Sequence, residues 1–99
     1  MAKFLVLWEV DTTKIPDEPV EIQKNLTMML NMTKKNLESG GTKDWGMFIG
    51  RHAGYSIKEG TEQEIGFALL KFFPYLKFKV YPIISVNEAL ENVKALSQT

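Results

Sequence analysis

Hydrophobic residues at the start of the chain follow the two-residue period of a β-strand. Within residues 3–11, one alternating set consists of Phe4, Val6, Trp8 and Val10, and the other contains Leu5 and Leu7. A strand that is apolar on both faces has to be covered on both faces. We expect a strand here rather than a signal peptide, because the apolar run is short and acidic residues follow it.

A helical period replaces this alternation after a proline-containing connector at residues 12–19. Asp17 is the expected N-cap, Pro19 falls in the first turn, and the helix is predicted to run to about Glu38. Apolar residues at three- and four-residue spacing predict one buried face. That face consists of Ile22, Leu26, Met29, Leu30 and Leu37. Gly40 and Gly41 favour a left-handed C-cap.

The next segment is typical of a β-hairpin. Residues 43–52 alternate as the first strand, Ala53-Gly54 is the expected reversal, and residues 55–58 form the second strand. The glycines within the first strand indicate close backbone approach, a bulge or open cavity space on their face. If the alternation holds, Arg51 and His52 point to opposite faces of the sheet.

Two capping boxes mark two further helices. The first, at residues 61–64, opens a helix that buries an apolar face and stops before Pro74. A fourth strand is predicted over residues 76–84. The second capping box, at residues 85–88, opens a C-terminal helical tail over residues 86–97. The apolar stripe of the tail is formed by Val86, Leu90, Val93 and Leu96.

The predicted order of elements is strand, helix, strand, strand, helix, strand and a helical tail. This βαββαβ order predicts a single ferredoxin-like α+β domain over residues 1–99, with an antiparallel sheet and two helices on one face. The other face would expose Leu5 and Leu7, and an exposed apolar sheet face is usually an interface. We expect a homodimer in which two sheets pack face to face and close into a barrel-like core, with a higher oligomer as an open alternative.

Composition excludes several classes of function. Twelve basic and twelve acidic residues cancel, which removes the electrostatic basis for a general nucleic-acid or anionic-membrane binder. The chain has no cysteine and one histidine, so disulfides and thiolate chemistry are excluded, and neither a metal nor a cofactor is expected. No stretch approaches the length of a membrane span, and a cytoplasmic location is the default expectation.

The motif GRHAGYS followed by FFPYLKFKV resembles muconolactone isomerase and the dimeric α+β barrel proteins related to it. The resemblance covers roughly residues 45–81. It rests on Gly50, His52, Tyr55, Ser56, Phe73, Pro74 and Tyr75. It implies a dimeric α+β barrel that binds or isomerises a small carboxylated or aromatic metabolite. The first helix, its connector and the helical tail lie outside the resemblance, and fold alone does not carry function.

Two residues are candidates for proton transfer in an isomerase-type reaction. His52 is a candidate because histidine is the side chain best suited to general acid–base catalysis near neutral pH. The competing interpretation is a turn histidine that is solvated or bonded to backbone. Glu9 shares a strand face with Leu5 and Leu7, so an interior position would raise its pKa and make it a base. The alternative interpretation of Glu9 is a solvated carboxylate at the end of the strand.

Further residues are candidates for substrate binding. Arg51 has the forked geometry that holds a carboxylate, although a surface salt bridge is the more common role. Tyr55 and Ser56 offer hydroxyls to a polar ligand, and Trp8 and Tyr75 are candidates for an aromatic pocket wall. Core packing is the alternative for the aromatic residues.

Two other classes of function remain open at this point. A non-catalytic ligand-binding or structural dimerisation module needs only the sheet face and the tail helix. A cofactor-independent or heme-related oxygenase of the same fold needs a histidine that reaches a ligand in the cavity, and His52 is the only histidine in the chain.

Overall fold

The first strand is the centre of a four-stranded antiparallel sheet with the strand order β2-β3-β1-β4. The computed structural model describes residues 2–97. The elements in chain order are β1 (Lys3–Val10), α1 (Pro19–Ser39), β2 (Thr42–Met47), β3 (Ala53–Glu59), α2 (Glu62–Leu70), β4 (Leu76–Ile83) and α3 (Val86–Leu96), with a short 3₁₀ turn at Thr12–Lys14. An antiparallel sheet with three helices in this order is consistent with the ferredoxin-like arrangement predicted from the sequence.

The two alternating sets of side chains in β1 differ in burial, as the pattern predicts. Phe4, Val6 and Trp8 are buried, and Val6 is completely inaccessible. Phe4 and Val6 pack against Ile65 and Leu69 of α2 to form the core of the domain. The helices therefore cover this face of the sheet, which we call the inner face.

The opposite face of the sheet, which we call the outer face, follows from the strand register. Leu5 lies opposite Ile57 on β3 and Tyr81 on β4, and Leu7 lies opposite Tyr55 and Lys79. Directly opposed residues share a face of an antiparallel sheet. The outer face thus has an apolar centre and charged residues at its border, formed by Lys3, Glu9, Glu59, Lys77 and Lys79.

The predicted capping boxes are both confirmed. Thr61 accepts a hydrogen bond from the Glu64 backbone N–H while the Glu64 carboxylate accepts one from the Thr61 N–H, and Ser85 and Glu88 repeat the pattern. Gly40 ends α1 with a φ of 88°, which confirms the left-handed C-cap. The N-cap of α1 is Glu18 rather than the predicted Asp17, and it makes no side-chain capping bond.

The predicted hairpin is wrong in its turn. β2 ends at Met47 and β3 begins at Ala53, so the reversal occupies residues 48–52 instead of Ala53-Gly54. The Phe48 N–H donates to the Ala53 carbonyl and the Arg51 N–H to the Phe48 carbonyl, which closes a wider loop. Arg51 and His52 lie in this loop, so strand alternation does not apply to them.

The predicted buried face of α1 is also wrong in extent. Of its five stripe residues only Met29 is buried, while Leu26, Leu30 and Leu37 are 39–50% exposed. A cavity separates this part of α1 from the sheet. Leu26, Met29 and Leu30 line that cavity instead of packing directly on the strands.

The C-terminal helix α3 contains no buried residue. The predicted helix is confirmed, but the residues of its apolar stripe are 60–74% exposed. They are Val86, Leu90, Val93 and Leu96. The radius of gyration of 16.6 Å exceeds the value of about 13 Å expected for a compact chain of this length. The length of the chain along its main axis, 61 Å, is consistent with a helix that extends away from the sheet.

No helix within residues 2–97 combines the length and the apolar character required to cross a bilayer.

Candidate functional site

A cavity lies between the inner face of the sheet and the helices α1 and α2. Its volume is about 120 Å³, and its walls are predominantly apolar. The walls include Trp8, Leu30, Trp45, Leu69 and Phe78. Pockets of this kind, apolar with a few convergent polar groups, are the usual form of small-molecule sites.

Two stacked indoles form one wall of the cavity. The rings of Trp8 and Trp45 are 5.5 Å apart between centroids and 8° from parallel. The Trp8 Nε1–H donates to the Tyr55 carbonyl at 3.3 Å, which fixes the orientation of its ring. The stack presents a rigid aromatic surface at low entropic cost.

The position of Trp8 depends on a glycine. Gly54 lies opposite Trp8 on β3, and a Cβ added to Gly54 would collide with the Trp8 ring and with the Gly46 carbonyl oxygen. A Cβ added to Gly46 would collide with the Tyr55 ring on the outer face. Of the alternatives predicted for the glycines of the first hairpin strand, close approach is confirmed at Gly46, whereas a Cβ added to Gly50 would meet nothing within 4 Å.

A lysine ammonium lies at the polar end of the cavity. Lys58 is 6% exposed and Thr42, opposite it on β2, is 2% exposed. The Lys58 Nζ donates to the Thr42 Oγ1 at 2.8 Å. Ser56, 3% exposed, lies two residues before Lys58 on the same face and adds a second hydroxyl to this end.

The charge of Lys58 has no counter-ion within residues 2–97, where the single side-chain ion pair joins Lys24 to Glu21. Among the described residues that line the cavity, Lys58 is the only charged one. Burial lowers the pKa of Lys58 below its ordinary value of 10.5, because desolvation penalises the ammonium form. The site therefore combines an apolar chamber with a buried lysine whose pKa is lower than that of an exposed one.

Two of the residues predicted from the sequence line this cavity. Trp8 and Ser56 are both buried in its walls. Tyr55 lies instead on the outer face, where its hydroxyl donates to the Asp44 Oδ2 at 2.8 Å. That hydrogen bond raises the pKa of Tyr55 above its ordinary value, since it stabilises the protonated phenol.

The other predicted residues lie at one end of the sheet. The Val10 N–H donates to the His52 carbonyl at 2.8 Å, and the Asp11 N–H donates to the Tyr75 carbonyl at 2.7 Å. Glu9 lies opposite Ala53, the residue after His52. Glu9, Arg51 and His52 are exposed, and none of them lines the cavity.

Lys58 and Thr42 were not among the residues predicted from the sequence. A signal for Lys58 was present, because it shares strand parity with Ser56 and so has to point to the same face. No comparable signal marked Thr42, since a register shift between Thr42 and Asp44 interrupts the alternation of β2.

Acidic and histidine side chains do not form a metal site in the part of the chain that the structure describes. No group of three such residues is close enough together to hold an ion. Comparison with protein-family models gave no match to the chain. A search of curated proteins also found no significant similarity.

Proposed function

We propose that the protein binds a small carboxylated or aromatic metabolite in the cavity between the sheet and the helices. The observation that carries this proposal is the Lys58 ammonium, which lies without a counter-ion in a chamber of apolar side chains. A buried charge is costly unless it is paired. A ligand carboxylate at this position would supply the missing partner.

The size of the cavity sets the size of the ligand. Its volume of about 120 Å³ is close to that of an apolar protein cavity of about 150 Å³ that takes up benzene. A ligand with a single aromatic ring therefore matches the space. The stacked Trp8 and Trp45 provide an aromatic wall for such a ring.

Electrostatics favours a carboxylate as the polar substituent. Opposite charges 4 Å apart attract by about 4 kcal/mol at an effective dielectric constant of about 20. The Thr42 hydroxyl already holds the ammonium in place at 2.8 Å, so little side-chain order has to be gained on binding. Binding energy is thus concentrated at one end of the cavity.

Homodimerisation through the outer face of the sheet belongs to the same proposal. In one chain the apolar centre of that face, which includes Leu5, Leu7 and Ile57, is only half-buried. Two such faces packed together would bury this centre and form the dimeric α+β barrel that the resemblance to muconolactone isomerase implies. Higher oligomers are compatible with the same interface.

An isomerase-type proton transfer is the second candidate function. The observation in its favour is that Glu9 and His52 lie at the same end of the sheet. There the N–H of Val10, the residue after Glu9, donates to the His52 carbonyl. In this function His52 or Glu9 would move the proton, and Arg51 in the same loop would hold a carboxylate. Activity that is lost in both His52→Gln and Glu9→Gln, with ligand affinity retained, would support it.

Thermal denaturation with a ligand panel tests the binding proposal. A panel of lactones, dienelactones and aromatic acids is expected to contain compounds that raise the Tm of the wild type. Lys58→Met should abolish the effect of the acids, whereas Lys43→Met, at an exposed position of β2, should retain it. Absence of stabilisation by every compound would overturn the proposal and favour a purely structural module.

A further inference from the structure

The side chain of Lys58 is a primary amine held at a fixed place inside a chamber. Its strand backbone and the Thr42 hydroxyl fix its position, and the cavity in front of it is large enough for a single ring. Carboxylate binding uses only the charge of this group. The amine nitrogen also has a lone pair when it is unprotonated, and that form is a nucleophile.

We propose that Lys58 forms a reversible imine with the carbonyl carbon of a small aromatic or apolar aldehyde or ketone bound in this cavity. The inference rests on the proposed function, because it names a substrate class for the same site. The apolar walls hold the ring of the substrate, and the polar end formed by Lys58, Thr42 and Ser56 receives its carbonyl group.

The surroundings make the unprotonated state that this chemistry needs more accessible than it is in an exposed lysine. No acidic side chain pairs with Lys58 among the described residues, and such a pair would stabilise the ammonium form. Desolvation lowers the pKa of Lys58 and so enlarges the fraction of neutral amine. Lysines in hydrophobic pockets are activated as nucleophiles in this way.

The reaction is balanced without an oxidant or reductant. The Lys58 nitrogen attacks the carbonyl carbon, a C–N bond forms, and the carbonyl π electrons move to oxygen. Both nitrogen protons are then transferred to that oxygen, the C–O bond breaks, and one water leaves as the C=N bond forms. The Thr42 hydroxyl, 2.8 Å from Nζ, is placed to accept a proton from nitrogen and to pass its own to the departing oxygen.

Trapping with a reducing agent tests the inference on the wild-type protein. The chain is incubated with benzaldehyde and sodium cyanoborohydride near neutral pH, and the alkylated lysines are located by peptide mass spectrometry over time. We expect Lys58 to be labelled faster than exposed Lys43, since the cavity holds the ring of the aldehyde beside the amine and the lowered pKa enlarges the neutral fraction of Lys58. Lys58→Arg should remove the fast phase, and Lys43→Arg should leave it intact.

Addition of benzoate separates the two proposals. Benzoate that raises the Tm and slows the labelling of Lys58 supports both. If benzoate raises the Tm but Lys58 is labelled no faster than Lys43, the imine inference is overturned and the binding proposal stands. If Lys58 is labelled fast while no acid stabilises the protein, the proposed carboxylate ligand is wrong and the amine chemistry stands. Failure of both measurements overturns both.

Discussion

Lys58 and Thr42 face each other across β2 and β3, with 2.8 Å between the Lys58 Nζ and the Thr42 Oγ1. Both side chains are almost fully buried. The hydroxyl is thus an acceptor for a cation that has no acidic partner among residues 2–97. The same hydrogen bond therefore contributes to the stability of the sheet and holds the Lys58 amine in the cavity wall.

A double-mutant cycle measures that link. Thr42→Val is expected to lower the free energy of unfolding by about 1–3 kcal/mol, because it leaves the ammonium buried without its acceptor. In the Lys58→Met background the same substitution should cost at least about 1 kcal/mol less, since both polar groups are then gone. Urea denaturation provides the measurement, and equal costs in the two backgrounds would refute an energetic coupling.

The stability of the protein should depend on pH through Lys58. Its pKa is lowered by burial in the folded state, so between that pKa and the ordinary value of 10.5 the unfolded chain binds more protons than the folded one. Stability then rises with pH across this window and is lost as pH falls through the folded pKa. Relative to Lys58→Met, the wild type should gain stability as pH increases toward 10.5. A difference that is constant over this range would contradict the lowered pKa.

Gly54 should be intolerant of any side chain. A methyl group at Gly54 meets the Trp8 ring and the Gly46 carbonyl oxygen, and backbone cannot move as a flexible side chain does. Gly54→Ala is therefore expected to destabilise the fold by about 1–3 kcal/mol and to disturb the indole stack, which near-UV circular dichroism would detect.

Gly66→Ala is the matched control for this substitution. Gly66 lies within α2, and a Cβ there meets no atom within 4 Å. Replacement of a helical glycine by alanine is expected to stabilise by about 0.5–1 kcal/mol. If both variants changed stability in the same direction, close approach at Gly54 would not be the cause.

The proposed dimer should dissociate when a charge is placed at the centre of the outer face. Leu5 is half-buried there in a single chain and lies opposite Ile57 and Tyr81, so Leu5→Glu should permit folding yet raise the dimer dissociation constant at least about tenfold through an unpaired buried charge. Phe67→Glu, on exposed α2 surface, is the control. Light scattering at low micromolar concentration gives the mass, and a monomeric wild type would exclude the dimer.

Regular elements of this fold were predictable because their signals are local. The alternation of β1 separates the residues of the inner face from Leu5 and Leu7, and the capping boxes at Thr61 and Ser85 fix two helix starts. The loop between β2 and β3 was not predictable in the same way. Its closure depends on backbone hydrogen bonds from Phe48 and Arg51, which leave no mark in the hydrophobic pattern.

The cavity was only partly predictable for a related reason. Trp8 and Ser56 were identified from their types and positions, but the void between α1 and the sheet depends on how far the helix stands from the strands. An apolar stripe on α1 is the same whether its leucines pack on a sheet or line a chamber. The burial of Lys58 depends on that tertiary spacing, so the sequence favoured His52 as the candidate for proton transfer.

Calorimetric titration with a matched pair of ligands tests whether Lys58 binds a carboxylate in the cavity. Benzoate and benzyl alcohol share a ring and differ in charge, so the Lys58 ammonium should discriminate between them. We expect saturable binding of benzoate to the wild type, at least about tenfold weaker binding of benzyl alcohol, and loss of this preference in Lys58→Met. Equal affinity of the wild type for the two ligands, or an unchanged preference in Lys58→Met, would contradict carboxylate binding by Lys58.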